Sequence, residues 1–482
     1  MNKRTVIYIL GWVLLIEGLA MQSGTICGLW YREASYIYFL TIGLALILAG
    51  GIIVLRKPKR FHMERRDGFA ATALSWILLS GTGALPLWLS GSIPSFVDAF
   101  FESVSGFTTT GATILTDIEA LDKCMLLWRS VSHFLGGMGV IVFLLALIPK
   151  LGGNAGINLM KAESTGPEVD KTMPKLRNYA IALYSIYIGL TFIETILLLC
   201  GGMYFFDAVT TAMSTAGTGG FSAYNKSMGY FDSYYLQGVV AVFMMLFGVN
   251  FYVYILILTK KIKSIFKVEE LWWYLGIVVF STTVIAFNIY NNFHNAFDSF
   301  HQSFFYTSSI LSSTGFCLGN DTNEWPQLSQ TIICIITCIG ACAGSTGGGF
   351  KVSRIIILLK EIRKEFRIFV HPRTIQTVKV SGKKVSHEVV RNVSVYLMVY
   401  ILIVVVSTAL IALNGYDFTT NLTSVLATFN NTGPGFGIVG SAGNYASFSI
   451  FSKIVFIFNM LAGRLEIYPM LLIFMPAAWK KN

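Results

Sequence analysis

Four threonine–glycine pairs share one local setting in this chain of 482 residues: Thr110-Gly111, Thr218-Gly219, Thr314-Gly315 and Thr432-Gly433. Their glycines lie 108, 96 and 118 residues apart, and an aspartate (Asp98, Asp207, Asp298 or Asp417) stands 12 to 17 residues before each. Glycine reaches dihedrals that other residues avoid, so it lets successive carbonyls turn to one side and leaves no side chain in their way. The threonine adds a hydroxyl oxygen. Rings of backbone carbonyls replace the hydration shell of a monovalent cation such as potassium. No ring of acidic side chains accompanies the pairs, so the site reads as carbonyl-based. The candidate ion-binding residues are Thr110, Gly111 and Ala112; Thr218, Gly219 and Gly220; Thr314, Gly315 and Phe316; and Asn431, Thr432 and Gly433. Four copies of one unit point to four sectors around one axis, the geometry of a pore.

Such loops need elements to hold them. A short helix is expected before each pair, at 99–107, 208–215, 299–312 and 418–429, with the aspartate capping its N-terminus through the free amides there. A spanning helix needs about 20 apolar residues, so these must dip in and turn back. That is tolerated only where protein or water covers the backbone. Four inward-aimed C-terminal ends would favour a cation. The composition fits a lipid setting: 54% hydrophobic, 13% charged and mean hydropathy +0.64, where soluble chains carry roughly a quarter charged residues. Ten apolar segments stand out, at 5–22, 36–55, 69–90, 126–149, 179–202, 233–259, 271–290, 328–359, 392–413 and 448–478. The eighth and tenth are too long for one straight span and should break. The fold class is therefore an all-α polytopic membrane protein: four helix–pore-loop–helix repeats plus two extra N-terminal helices.

With the N-terminus inside the cell, 30 of the 36 basic residues fall on the cytoplasmic stretches. This is the positive-inside pattern, with both termini cytoplasmic. It accounts for the net charge of +11 without nucleic acid. The first 24 residues resemble a signal peptide, but Glu17 interrupts the apolar run and no small-x-small cleavage site follows, so they read as a retained helix. The seven cysteines are odd in number and lack histidine partners; Cys334, Cys338 and Cys342 read as small packing residues on one helix face. The expected division is 1–60, two N-terminal helices; 61–150, first repeat; 151–267, second; 268–365, third with an intramembrane loop; and 366–482, a cytoplasmic hairpin and the fourth repeat.

The eighth segment is interrupted by Gly344, Ser345, Thr346, Gly347, Gly348 and Gly349, a run that disfavours helix. A phosphate-cradling loop needs Lys-Ser/Thr directly after its second glycine; here Phe350-Lys351-Val352 follows, so a hinge or a simple helix kink is the better reading. Arg464 lies inside the last apolar segment, where a charge is costly and marks function. The alternative is a structural salt bridge to Glu102 or Glu466. Glu17, His133 and Glu194 read as interhelical contacts. Residues 360–391 form a basic stretch in which Val378–Val385 alternates around Ser381-Gly382 as a hairpin. Membrane lipid and a regulatory subunit compete as its partner.

The loop stretches Ser105–Thr113, Thr218–Ser222, Ser313–Phe316 and Asn430–Gly435 carry a resemblance. So do Trp128-Arg129-Ser130, Leu135–Gly139, Cys342–Gly349 and Gly463–Glu466. Over nearly its whole length the chain resembles the Trk/Ktr/HKT superfamily of potassium transporters, in its TrkH branch. The resemblance implies potassium as the transported ion and no organic cofactor. It implies a bacterial cell membrane, a homodimer with one pore per subunit, and a cytosolic nucleotide-binding regulatory subunit. It also implies a gate at Gly344–Gly349 below the filter and an Arg464 that faces the permeation path. Gly111 stands where a serine accompanies sodium transport in plant relatives, which argues for potassium. One departure is Gly217, an additional glycine that should loosen the second loop. The rival readings are a sodium-coupled or sodium-permeable cation carrier, which predicts two related halves, and, remotely, a membrane-embedded enzyme, for which no catalytic set appears.

Overall fold

The computed structural model describes residues 3–58, 65–139, 176–293, 295–373, 376–441, 443–473 and 475. Within them, six helices are long and apolar enough to cross a membrane, or seven if one bent pair counts as a single span. Lys3–Tyr31 and Tyr36–Leu55 form an antiparallel pair. Small residues let their backbones touch: a Cβ on Gly18 would lie 2.7 Å from the Gly43 carbonyl oxygen, and one on Gly50 would lie 2.6 Å from that of Gly11. Close approach of this kind is how helices associate in lipid, where no hydrophobic drive separates them from the acyl chains.

The four expected short helices are present: Phe96–Phe107, Phe205–Gly217, Ala296–Leu311 and Phe418–Phe429, of 12, 13, 16 and 12 residues. At 1.5 Å per residue they reach about 18–24 Å, less than the roughly 30 Å of a bilayer core. Their capping differs from expectation. Only Asp417 caps its helix, accepting from the Thr420 amide. Ser95 and Asn295 cap two others, and Tyr204 offers no side-chain cap. Asp98, Asp207 and Asp298 sit inside the first turn, where a carboxylate still favours the helix dipole. There they reach across to other elements: Asp98 to Lys453 Nζ at 2.7 Å, Asp207 to the Tyr224 hydroxyl at 3.1 Å, Asp298 to the Tyr234 hydroxyl at 2.7 Å.

The eighth and tenth apolar segments do break. Gln327–Ile339 and Val352–Val370 flank an irregular Gly340–Lys351 segment. Because the first of these helices stops at Ile339, Cys342 is not on the helical stripe of Cys334 and Cys338. Ile450–Arg464 and Tyr468–Ile473 are separated by a turn in which Glu466 and Ile467 both take positive φ, 61° and 62°. The sixth segment was expected to be continuous and is not: Tyr234–Gly248 and Phe251–Leu258 meet at 90°. The bend frees the Gly248 carbonyl to accept from the Cys342 amide at 3.1 Å. The Asn250 side chain caps the second piece. Of the fourth segment, Lys123–Gly137 is a helix; residues 140–149, and the basic positions Lys150 to Lys175 that follow, lie outside the described residues.

The hairpin is present as Lys379–Val380 paired with Lys383–Lys384, in register Lys379↔Lys384. Ser381 and Gly382 turn it with φ of 50° and 80°, the doubly positive turn that matches strand twist. Glu269 fixes it, accepting from Lys360 Nζ at 2.5 Å and from the Ser381 amide at 3.2 Å.

Candidate functional site

Each short helix ends in the same backbone pattern. A residue with left-handed φ (Thr109, Thr218, Ser313 or Asn431, 53–59°) is followed two positions on by a glycine with φ of 75–89° (Gly111, Gly220, Gly315 or Gly433). The residue between them donates its amide five residues back, Thr110 to Ser105, Gly219 to Ser214, Thr314 to Ser309 and Thr432 to Ala427, at 2.8–2.9 Å. This corrects the register of the second loop. Its counterpart of Gly111 is Gly220, and Gly219 stands where the other loops carry threonine.

The four loops close into a ring. A Cβ on Gly111 would overlap the carbonyl oxygen of Gly219; one on Gly220, that of Thr314; one on Gly315, that of Thr432. One on Gly433 would lie 2.6 Å from the carbonyl oxygen of Thr110, which returns the cycle to its start. Positive φ and the facing carbonyl together require glycine at all four places. Ala112 and Phe316 are buried beside the ring, and the Phe316 carbonyl accepts from the Ser309 hydroxyl at 2.7 Å. Behind it the hydroxyls pair: Thr108 with Thr110 at 2.8 Å, Ser312 with Thr314 at 2.7 Å. Asn431 Nδ2 donates to the Thr110 hydroxyl at 2.9 Å, tying the fourth loop to the first. Gly217 does not loosen the second loop, because it packs directly on the His133 backbone.

The Gly340–Lys351 segment lies against the residues that lead into the third and fourth loops. The Gly348 amide donates to the Ser313 hydroxyl at 2.5 Å. Added side chains would meet the Ser312 carbonyl at Gly347 and the Asn430 carbonyl at Gly348. Elsewhere the segment's backbone finds distant partners: Ala343 N donates to the Glu270 carboxylate at 2.6 Å, and Phe251 N to the Gly344 carbonyl at 3.1 Å. Ser345 bonds back to the Cys342 carbonyl at 2.6 Å, and the Lys351 ammonium folds onto the Gly347 carbonyl. Gly349 packs on Gly340 at the segment's neck.

Arg464 joins this segment to the first repeat. It donates to the Thr346 carbonyl at 2.6 Å and to those of Gly136 and Gly137 at 2.5 and 2.6 Å. The two carboxylates weighed as its salt-bridge partners are engaged elsewhere. Glu102 pairs with Arg129 at 2.9 Å, and Glu466 with Arg354. The expected ring residues and glycine-rich residues are thus brought together, with Arg464 touching the latter.

Comparison with known proteins follows the same lines. The chain matches the profile of the TrkH cation transport proteins over residues 37–481. It is 34% identical to the Trk system potassium uptake protein TrkG of Escherichia coli, over 99% of both chains. It is also 34% identical to TrkH of Salmonella typhimurium over the full length of both. The crystal structure of the potassium transporter TrkH from Vibrio parahaemolyticus superposes with a TM-score of 0.88, at 32% identity and full coverage of both chains. The chain belongs to the TrkH family.

TrkH proteins are transporters, not enzymes, which removes the enzyme reading. Two features of this TrkH chain were not recognised from sequence. Arg129 had entered only as part of the Trp128-Arg129-Ser130 stretch that carries the resemblance, with no partner or role. In the structure it is buried against Glu102, which also accepts from the Thr113 hydroxyl and the Ile114 amide at 3.0 Å. Its other end donates to the Ser222 carbonyl at 3.1 Å, and its guanidinium stacks 3.9 Å from the Phe221 ring centroid. The pair therefore cross-ties the exits of the first and second loops. His133, one turn later on the same face, meets the second loop. The i, i+4 spacing of Arg129 and His133 was the available signal, but nothing local said what that face covers.

Proposed function

We propose that this protein takes up potassium across the cell membrane, with the ring of loops as its selectivity filter. The carrying observation is the closed cycle in which each loop's glycine abuts the next loop's carbonyl. Carbonyls from 110–113, 218–221, 314–317 and 431–434 replace the water around the ion, and with no side chain able to enter, the spacing belongs to the backbone alone. The segment Gly344–Gly349 is the gate. It sits against the residues leading into two loops and is built of residues with little helical preference. Arg464 latches it closed and holds a positive charge beside the path.

The same reading keeps the five-part division from 1–60 to 366–482, the cytoplasmic termini in a bacterial cell membrane, and a homodimer. It assigns the hairpin and the basic residues from Lys360 to Arg391 to a cytosolic nucleotide-binding regulatory subunit. The test is reconstitution into liposomes with potassium and sodium gradients, comparing the unaltered protein with Gly111→Ser. The substitution should weaken the preference for potassium, because a side chain at that place meets the Gly219 carbonyl. Unchanged relative flux of the two ions would remove Gly111 from the filter.

A further inference from the structure

Three of the four loops carry threonine immediately before the positive-φ glycine: Thr110, Thr314 and Thr432. The second carries Gly219. The reason is visible beside it. A Cβ on Gly219 would lie 2.3–2.4 Å from three ring atoms of His133, so no side chain fits while that ring is present. His133 is fully buried, and both its nitrogens are used. The Phe221 amide donates to Nε2 at 3.2 Å, which makes Nε2 the acceptor. A neutral imidazole then carries its proton on Nδ1, and this nitrogen donates to the Gly106 carbonyl at 2.7 Å. The ring also stacks on Phe221, centroids 4.2 Å apart at 29°.

We propose that His133 is the positioning residue of the second filter loop, filling the place a threonine side chain occupies in the other three and setting the direction of the Gly220 carbonyl. The proposal rests on the filter reading above. The physical link is the peptide plane. Phe221 N–H and Gly220 C=O belong to one trans peptide unit and point in opposite directions. Holding the amide against Nε2 therefore turns the Gly220 carbonyl away from the imidazole. Nδ1 at the same time grips the end of the first short helix, so one side chain sets the first and second quarters of the ring against each other. Arg129, one turn earlier, also stacks on the Phe221 ring, 3.9 Å from its centroid, so the chain leaving the loop is held by two side chains of one helix.

The test uses the full-length protein in liposomes. The readout is the ratio of potassium to sodium flux, per folded molecule, with Gly111→Ser as the control for the filter itself. His133→Leu, which keeps bulk and loses both hydrogen bonds, should lower the ratio about tenfold, the size expected for loss of the one buried hydrogen bond that holds the Phe221 amide. His133→Gln, whose amide offers one donor and one acceptor, should restore most of the ratio. Gly219→Thr alone should lower it. Gly219→Thr combined with His133→Ala should recover it, because the second loop then has the side chains of the first. These two arms remain decisive if His133→Leu does not fold. Equal losses of potassium and sodium flux, or a ratio unmoved by His133→Gln and by both Gly219 variants while Gly111→Ser shifts it, would overturn the proposal. A ratio unmoved by Gly111→Ser would instead overturn the filter reading, and the assignment of His133 with it.

Discussion

Replacing Arg464 with alanine removes its hydrogen bonds to the Thr346, Gly136 and Gly137 carbonyls, and they differ in consequence. Those to Gly136 and Gly137 only seat the guanidinium on the end of the Lys123–Gly137 helix. The 2.6 Å bond to the Thr346 carbonyl is the one that holds the glycine-rich segment. A hydrogen bond from a charged donor contributes about 1.5–3 kcal/mol. With tenfold for every 1.4 kcal/mol, its loss should raise the population with a displaced segment roughly 10- to 100-fold. A second effect runs the same way: at about 6 Å and an effective dielectric near 20, a fixed positive charge repels a passing potassium ion by on the order of 3 kcal/mol. Arg464→Lys separates the two, since an ammonium keeps the charge but lacks the planar fork that reaches several carbonyls at once. The assay is potassium flux into liposomes per folded molecule, read beside thermal stability. Arg464→Ala should be faster by tenfold or more. Arg464→Lys should follow it if the latch dominates and stay slow if the charge does. A lower Tm for Arg464→Ala with no gain in flux would refute both and leave Arg464 as an architectural residue.

Three further outcomes follow from the same geometry. Deleting Gly347–Gly349 should raise basal flux in protein that still folds, because the part of the segment in contact with Ser312, Ser313 and Asn430 is gone; flux no greater than that of the unaltered protein would dismiss the plug. Arg129→Met should cost about 3–5 kcal/mol of stability, since it leaves the buried Glu102 carboxylate without its cation. Thermal unfolding in detergent measures that, and Glu102→Gln combined with Arg129→Met should recover part of it. Charge reversal at Lys383 and Lys384, both exposed on the hairpin, should weaken binding of the proposed regulatory subunit more at low salt than at 0.1 M and above, where exposed charges are screened within about 10 Å. Full binding at every salt concentration would move this face to lipid contact.

Much of the architecture was legible because it depends on short stretches of chain. Apolar length marks spans, and four short helices each leading into a glycine loop follow from local composition. The breaks at Gly340–Lys351 and after Arg464 also follow, because no single helix of that length fits a bilayer. The 90° bend after Gly248 was missed for the opposite reason. Around the bend its apolar run is interrupted only by Asn250, which caps the second piece, and the Gly248 carbonyl left free at the bend is taken up by a distant amide, that of Cys342.

By itself the sequence determined a polytopic helical protein, the positions of four glycine loops and two apolar segments too long for one helix. Those properties are summed along the chain, residue by residue. Only the tertiary structure decided the pairings. It placed Gly220 rather than Gly219 in the register of Gly111, because the His133 ring takes up the space. It gave Glu102 to Arg129 and Glu466 to Arg354, while Arg464 reached three carbonyls. It moved three aspartates from caps into first turns, where Lys453, Tyr224 and Tyr234 meet them. A buried polar group must find a partner, but which partner is set by distance in space, and spacing along the chain does not carry that distance.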